Sequence, residues 1–344
     1  MLSIECLPPG RDPTDAKLPT PKGTGSLSLI SDQWKILTPP GPTSDDFASE
    51  LGHGWFNVAY LLRLADGDQV VMKIAPPPDV EVMTYEQDML AGEVAAIRLL
   101  EERTWVPVPH VDYYDPTCEL IAAPWFVMRF VPGDNFGEVS GDWPAERQQA
   151  VWRQIGAANA ELNTIRGDGF GRYGLPGVAT WREAFTGILE DVLADGERRE
   201  VDLGWSYDAV RQAIADHEAC LDAVTVPRFC EWDLWGSNVM VHDDRITGII
   251  DHERAFWGDP IIEAGFVAAS GTVPWGDPSG FLAGYGRGPL TPDELDRRRL
   301  YNLHLFLIMV IETVYRGHTT TEQLDMARPA LDGAMADLGH VRRE

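Results

Sequence analysis

The sequence predicts an α+β protein in which a small β-rich lobe is followed by a larger, mostly helical lobe. The first observation is length, since 344 residues correspond to about two domains. The second is a group of strand patterns between positions 58 and 131, with one helical pattern among them. The third is a series of long helical patterns from position 144 to 338, which a single hairpin pattern interrupts.

Strand patterns dominate the first predicted lobe. Two apolar segments, 58–65 and 69–75, alternate partially in polarity. They flank Asp66-Gly67-Asp68, where the glycine can adopt the positive φ of a hairpin turn. Residues 86–103 then carry an apolar stripe at helical spacing, with Glu93 at its edge. The lobe is therefore expected to combine an antiparallel sheet with one main helix.

The predicted boundary between the lobes follows a further strand. This strand, 125–131, runs into Pro132-Gly133, a dipeptide that favours a hinge. We therefore assign residues 45–131 to the first lobe and residues 132–344 to the second. Residues 1–44, rich in proline and glycine, are predicted to be an N-terminal extension and leading segment without a core of its own.

The second lobe is predicted to be helical around one hairpin. Apolar residues recur at helical spacing in five segments: 144–164, 180–199, 207–223, 292–316 and 321–338. Between the third and fourth of these, residues 238–242 and 245–250 form a strand pair around Asp243-Asp244. A short helix over 260–269 is expected, with Asp259 as its N-cap and Pro260 as its first helical residue.

Composition limits the class of partner. The 28 Lys+Arg residues against 54 Asp+Glu residues give a formal net charge of −26, which excludes a nucleic acid polymer as partner. The four cysteines and eight histidines show no metal-ligand spacing, so we expect reduced thiols in a cytoplasmic protein and no zinc site. No secretory signal and no apolar segment of about 20 residues is found, which predicts no membrane association. The oligomeric state is not predicted.

A glycine-rich segment precedes the first strand of the N-terminal hairpin. Gly52 and Gly54 would let backbone N–H groups around Trp55, Phe56 and Asn57 approach phosphate oxygens. A Gly-x-Gly pattern more often marks only a turn. No Walker sequence occurs, and the third glycine of a Rossmann fingerprint is missing, so these two kinds of nucleotide site are excluded.

Lysine usage singles out Lys73. Only four of the 28 basic residues are lysines, and Lys17, Lys22 and Lys35 all lie in the leading segment. Lys73 stands on the second strand after the glycine segment, where a compact ammonium on a flexible stem suits a pair of phosphates. Glu93 borders an apolar stripe, where a buried carboxylate needs a cation, so we expect the two to pair. The alternatives are a surface lysine and a solvated carboxylate.

Oxygen-bearing side chains flank the C-terminal hairpin. Asp233 and Asn238 precede its first strand, and Asp251 ends its second strand. Carboxylate and amide oxygens suit Mg²⁺, which proteins usually hold by one or two carboxylates together with substrate phosphates. We therefore expect Asn238 and Asp251 to bind the metal and Asp233 to orient or deprotonate a hydroxyl. Glu253 would supply a further carboxylate or face solvent, and turn or capping roles are the alternative for the other three.

Taken in this order, these residues resemble the aminoglycoside phosphotransferase family, small-molecule kinases with a protein-kinase-like fold, over roughly residues 45–340. The resemblance rests on the glycine segment and on Lys73, Glu93, Asp233, Asn238, Asp251 and Gly258-Asp259-Pro260. It implies a bilobal kinase-like fold in which the helical lobe carries the catalytic hairpin, the metal site and the acceptor. The implied cofactors are ATP (or GTP) and Mg²⁺, and the implied partner is a hydroxylated small molecule.

The resemblance also implies how ATP is held. The backbone around Trp55 would cradle the phosphates, and Lys73, positioned by Glu93, would grip the α- and β-phosphates. The adenine would lie against the hinge, whose cofactor-binding residues would be Met128, Arg129 and Val131.

Two features depart from the family pattern. The family usually has a histidine two residues before the catalytic aspartate, whereas this chain has Glu231 followed by Trp232, which changes the support expected for the loop. Only seven residues separate Asp251 from Asp259. That spacing leaves no room for the long activation segment of protein kinases, so a protein substrate is disfavoured.

The predicted function is therefore ATP-dependent transfer of a γ-phosphoryl group to a hydroxyl of a small molecule. Aminoglycoside-like and nucleoside antibiotics are candidate acceptors, in resistance or self-protection. Residues 181–223 carry eleven acids against four arginines, a balance of −7 that would attract a polyamine or would simply form solvated helix faces. The alternative functions are a metabolic kinase of a sugar or amino alcohol and a catalytically dead kinase-like binding protein.

Overall fold

The computed structural model of the chain describes residues 47–51, 56–64, 66–271 and 276–341. They form two compact units. The first contains the described residues up to Glu81 together with Pro109–Val131, and the second contains Val82–Val108 and the chain from Pro132 onward. The chain passes between the two units after Glu81, after Val108 and after Val131. The predicted α+β fold class is confirmed.

Runs of strands and runs of α-helices follow one another along the described residues. The strands are β1 (Ala48–Glu50), β2 (Val58–Arg63), β3 (Gln69–Ile74), β4 (Val111–Asp115), β5 (Trp125–Arg129), β6 (Asp134–Asn135), β7 (Gly171–Arg172), β8 (Arg228–Cys230), β9 (Val239–His242), β10 (Arg245–Ile249) and β11 (Phe256–Gly258). The helices are α1 (Met89–Arg103), α2 (Phe136–Val139), α3 (Ala145–Leu162), α4 (Trp181–Arg198), α5 (Tyr207–His217), α6 (Ser279–Tyr285), α7 (Pro292–Tyr315) and α8 (Glu322–Asp337).

The first unit is an antiparallel sheet in the order β1-β2-β3-β5-β4. The predicted hairpin is confirmed, since β2 and β3 pair from Val58 opposite Ile74 to Arg63 opposite Gln69. Gly67 turns the chain between them with a φ of 94°, a conformation that glycine adopts without steric cost. Alternating apolar side chains of β2, β3 and β5 build the core of the unit, among them Leu62, Val70, Met72, Trp125 and Val127.

Helix α1 and the segment before it belong to the second unit, although the sequence pattern placed them in the first lobe. Asp195 of α4 accepts hydrogen bonds from the amide and the hydroxyl of Thr84, both at 2.7 Å. Glu86 pairs with Arg316 at 3.0 Å. After the helix, Pro107 accepts a hydrogen bond from the amide of Ile249 in β10. These contacts join residues distant in sequence, so the order of patterns along the chain could not reveal them.

The second unit contains the predicted helices around two small sheets, one in the order β10-β9-β6 and one in the order β7-β11-β8. Helices α3, α4, α5, α7 and α8 coincide with the five predicted helical segments, and β9 and β10 with the predicted hairpin. The helix predicted over 207–223 ends at His217, and a 3-10 helix continues to Ala223. Among the described helices, none has both the length and the apolar composition needed to cross a bilayer.

The predicted helix over 260–269 is instead a series of short 3-10 helices, so this prediction was wrong in helix type. Its start is as predicted, because the Asp259 carboxylate accepts a hydrogen bond from the amide of Ile261. The buried Arg298 of α7 then donates to the carbonyls of Ile261, Ile262 and Glu263 at 2.6–3.2 Å. Carbonyls that bond a guanidinium are drawn away from the i→i−4 ladder of an α-helix.

Helices α3 and α6 cross at backbone contact through glycines, and this contact gives a stability prediction. A Cβ added at Gly284 would overlap the carbonyl oxygen of Arg153, and one at Gly156 would overlap that of Phe281. We expect Gly284→Ala to lower the free energy of unfolding by about 1–3 kcal/mol because the helices must separate. The matched control is Gly333→Ala in α8, where a Cβ meets no atom within 4 Å and alanine improves helix propensity. Equal urea midpoints for the two variants would contradict the packing argument.

Candidate active site

The predicted phosphate-binding residues of the first unit lie at the start of β2 and on β3. Gly52, Gly54 and Trp55 fall outside the described residues. Phe56 is half-buried and Asn57 is buried directly before β2. Lys73 is 9% exposed on β3, in register with Ala59 of β2 and Phe126 of β5. A lysine this deeply buried in a sheet differs from the exposed lysine that was the alternative interpretation.

The predicted adenine-binding residues lie at the end of β5. Met128 is buried, and Arg129 pairs through its guanidinium with Asp112 at 2.7 Å. The amide of Arg129 bonds to the carbonyl of His110, and that of Phe130 bonds to Gln69. An adenine ring held by this segment would therefore have to use other backbone groups of residues 128–131. Val131 is half-buried where the first unit ends.

The backbone of the loop after β8 is held by a carboxylate that the sequence analysis missed. Trp232 adopts a φ of 62°, a left-handed conformation that is strained for a residue other than glycine. The buried Glu263 accepts hydrogen bonds from the amides of Glu231 at 2.9 Å and Trp232 at 2.8 Å. Asn163 donates to the same carboxylate at 3.0 Å. Glu263 therefore stabilises the turn that leads into Asp233.

Asn238 ends a 3-10 helix, Gly236–Asn238, that brings it close to Asp233. The side-chain amide nitrogen of Asn238 donates to the carbonyl of Asp233 at 2.8 Å. Its own carbonyl accepts the amide of Ile250, directly before Asp251, at 3.0 Å. Since the amide nitrogen serves the loop, the side-chain oxygen is the atom that Asn238 can offer to a cation.

The carboxyl group of Asp233 lies beside Arg254, another residue that the sequence analysis missed. Nε of Arg254 is 3.7 Å from Oδ2 of Asp233, and its guanidinium lies over the rings of Trp232 and Tyr85 at 5.3 and 5.2 Å. Burial raises the pKa of Asp233 above its ordinary value, although Arg254 opposes the shift. The result is a carboxyl group that accepts a proton more readily than an exposed aspartate.

Three carboxylates, one from α1 and two from the segment after β10, meet near the end of β10. The oxygens of Glu93, Asp251 and Glu253 can all lie within 4.8 Å of one another. Asp251 has a φ of 70°, so the chain turns sharply at this residue. A set of oxygen ligands without nitrogen or sulfur suits a hard divalent cation such as Mg²⁺. Of the two roles left open for Glu253, the metal-side carboxylate is the one that this geometry favours.

Glu231 contacts His252, the residue next to Asp251. Nδ1 of His252 lies 2.9 Å from Oε1 of Glu231, and both side chains are fully buried. Nε2 of His252 lies 2.9 Å from the carbonyl oxygen of Ile249. Burial disfavours the protonated imidazole, but the Glu231 carboxylate, together with Glu93 and the carbonyl of Ile249, raises the pKa of His252 above its ordinary value. The unusual Glu231 is therefore part of a buried pair that joins the Asp233 loop to the Asp251 turn.

Sequence comparisons relate the chain to known proteins. A family model described as the phosphotransferase enzyme family matches residues 48–301. A curated relative, the probable acyl-CoA dehydrogenase IBR3 of Arabidopsis thaliana, is 24% identical over 229 residues, which are 63% of this chain and 27% of that protein. The chain thus spans about a quarter of the length of this relative.

Solved structures with the same fold bind nucleotides and antibiotics. A thermostable mutant of aminoglycoside phosphotransferase APH(4)-Ia, in a ternary complex with ADP and hygromycin B, has a TM-score of 0.65 and is 18% identical, with 90% of this chain and 97% of that chain covered. A macrolide 2'-phosphotransferase from Brachybacterium faecium has a TM-score of 0.58 and is 17% identical, with 89% and 98% covered. At these identities the likeness shows the fold, a kinase-like arrangement of strands and helices.

Proposed function

Because the chain belongs to the phosphotransferase enzyme family, we propose that it transfers the γ-phosphoryl group of ATP to a hydroxyl of a small molecule. The chain is a small-molecule kinase, and the identity of its nucleotide and acceptor is the proposed part. The observation that carries the proposal is the placement of Asp233 in one loop with Asn238, beside the turn that holds Asp251 and Glu253. A base and a set of cation ligands at adjoining positions are what phosphoryl transfer requires.

The residues of the second unit would carry the chemistry. Asn238, Asp251 and Glu253 would hold Mg²⁺, which would supply positive charge against the nucleotide phosphates. Asp233 orients the acceptor hydroxyl and takes its proton on a carboxylate oxygen. The hydroxyl oxygen bonds to the γ-phosphorus as the bond from that phosphorus to the β–γ bridging oxygen breaks, and ADP leaves. Arg254 holds the Asp233 side chain in place at 3.7 Å.

The residues of the first unit would hold the nucleotide. Lys73 contributes a point charge to the α- and β-phosphates, and the backbone near Phe56 and Asn57 contributes N–H donors. Glu93 is proposed as the carboxylate that orients Lys73. Its position beside Asp251 and Glu253 also brings it within reach of the same cation.

The test of this function is release of ADP from Mg²⁺-ATP against a panel of hydroxylated antibiotics, nucleosides and sugars. We expect Lys73→Met to lower kcat/KM for ATP by at least about 100-fold, since a charged contact to phosphate is lost. Lys73→Arg should also be impaired because a planar guanidinium does not replace a compact ammonium. Arg63→Met is the matched control, since Arg63 is an exposed cation on the neighbouring strand β2.

Thermal stabilisation by nucleotide separates the kinase from a catalytically dead binding protein. We expect ATP to raise Tm only when Mg²⁺ is present, because the carboxylates and the phosphates both require the cation. No shift at saturating Mg²⁺-ATP would refute the nucleotide site, and a shift without turnover of any acceptor would favour the binding protein.

A further inference from the structure

Three carboxylates and two guanidiniums form a connected network at Asp233 within the part of the chain that the structure describes. Arg254 lies between Asp233 at 3.7 Å and Glu312 of α7 at 3.6 Å. Arg316 lies between Glu312 and Glu86, each at 3.0 Å. The formal charge of this network is −1, which is the charge of Asp233 alone, since the other two carboxylates match the two arginines.

The two outer carboxylates have both oxygens engaged. Oε1 of Glu312 accepts a hydrogen bond from Gln323 at 2.7 Å, and Oε2 faces both arginines and the hydroxyl of Tyr85. For Glu86, Oε1 faces Arg316 and Tyr85, and Oε2 accepts the amide of Met83 at 2.9 Å. An ammonium group of a substrate would have to displace one of these partners, and breaking such a partly buried ion pair is costly.

The acidic segment 181–223 holds about half of its carboxylates in ion pairs. Six of its eleven acids form ion pairs with arginines, three of them with Arg211. The paired acids are Glu190, Asp195, Glu197, Asp202, Asp208 and Asp222. Pairing of this kind is expected for solvated helix faces, although the segment keeps a negative balance because five of the six pairs use arginines already counted in it.

We infer that the acceptor of this enzyme is a hydroxyl compound without net positive charge, rather than a polyamine such as an aminoglycoside. The inference rests on the proposed function and concerns the substrate of the same site. A polycation binds where carboxylates outnumber cations, because each ammonium group needs a counter-charge when it loses water. Within the network at Asp233 that surplus is a single charge, and it belongs to the group that must accept the proton. The nearby carboxylates of Asp251 and Glu253 are the proposed ligands of the divalent cation. A neutral or acidic acceptor meets no such requirement.

The experiment compares acceptors that differ only in charge. Kanamycin and its per-N-acetylated derivative carry the same hydroxyls, but acetylation removes the ammonium charges. They are assayed for ADP release beside neutral nucleosides and glycosides and acidic sugar derivatives. We expect the active compounds to be non-cationic. If either kanamycin compound is turned over, the rate should be about tenfold higher for the acetylated one, which is the size of one ion-pair contribution.

Two opposing variants keep the test independent of folding. Arg316→Gln removes one of the two arginines of the network and leaves only Arg254 beside its three carboxylates. The preference should therefore shift toward the cationic member of each pair by about threefold to tenfold. Glu312→Gln removes a negative charge and should shift it the other way. Partial unfolding lowers both acceptor activities together and cannot reverse the preference. Arg328→Gln, which breaks an ion pair with Asp202, is the control with no expected shift.

The outcomes separate this inference from the function on which it rests. Turnover of kanamycin above that of its acetylated derivative would overturn the inference and leave the kinase function intact. Absence of ADP release from every compound, together with absence of Mg²⁺-dependent stabilisation by ATP, would refute the proposed function itself. Turnover confined to non-cationic compounds, with opposite shifts in the two variants, supports both.

Discussion

Asp233→Asn is expected to lower kcat by about 100- to 10,000-fold while KM for ATP stays nearly unchanged. Asparagine keeps the shape of the side chain but cannot accept the proton of the acceptor hydroxyl. Arg254 loses its charged partner at 3.7 Å, so a small fall in Tm accompanies the loss of activity. The measurement is steady-state ADP release with the best acceptor of the panel.

The matched control for this substitution is Asp243→Asn. Asp243 is exposed in the turn between β9 and β10 with a φ of 48°, a conformation that asparagine tolerates well. The two variants make the same chemical change ten residues apart. If both keep normal turnover, Asp233 is not the base.

The pH dependence of kcat/KM provides a second measure of Asp233. As the pH falls, Asp233 becomes protonated and activity is lost. Because burial raises the pKa of Asp233, this loss should occur at a higher pH than for an exposed aspartate. Arg254→Met removes the charge that opposes this shift, so it should move the acid limb of the profile further upward. A downward movement would show that Arg254 does not act on Asp233.

Glu231→Gln is expected to lower the free energy of unfolding by about 3–5 kcal/mol, because it leaves His252 buried without its carboxylate. The catalytic rate should fall as well, since the pair joins the loop of Asp233 to the turn of Asp251. Urea unfolding measures the first effect. Steady-state kinetics measure the second. The fall in kcat should exceed the change in KM for ATP, because loosened positioning affects kcat more than nucleotide binding.

A double-mutant cycle tests whether the two residues act as a pair. We expect Glu231→Gln with His252→Gln to cost less than the sum of the single variants, with a coupling of about 0.5–3 kcal/mol. The control is His242→Gln, because His242 lies 3.5 Å from Asp243 with both side chains largely exposed. An exposed pair of the same chemistry should contribute almost nothing. Additive costs at Glu231 and His252 would contradict the pairing.

The candidate site could be predicted where its residues follow one another in a pattern. Asp233, Asn238 and Asp251 flank a hairpin, and the alternation of β9 and β10 is visible in the sequence. Lys73 could be found because lysine is rare in this chain and the strand around it is apolar. The departure at Glu231 was visible too. Its partner was not, since His252, which follows Asp251, has no periodic signal.

The missed residues act through contacts between distant segments. Glu263 reaches back to the amides of Glu231 and Trp232, and Arg298 takes the carbonyls that would otherwise have continued a helix. Strands β7, β8 and β11 are only two or three residues long, too short to show an alternation. Their pairing depends on the surrounding helices.

Local order in the sequence is thus sufficient for the fold class, the main helices, both hairpins and the sequence of candidate catalytic residues, because period and turn chemistry are properties of neighbouring residues. Three-dimensional packing decides the rest. It assigns α1 to the second unit, supplies His252 to Glu231, and neutralises Glu312 with Arg254 and Arg316. Charge balance at a site depends on which distant side chains meet there. For that reason the net charge of −26 does not describe the surroundings of Asp233.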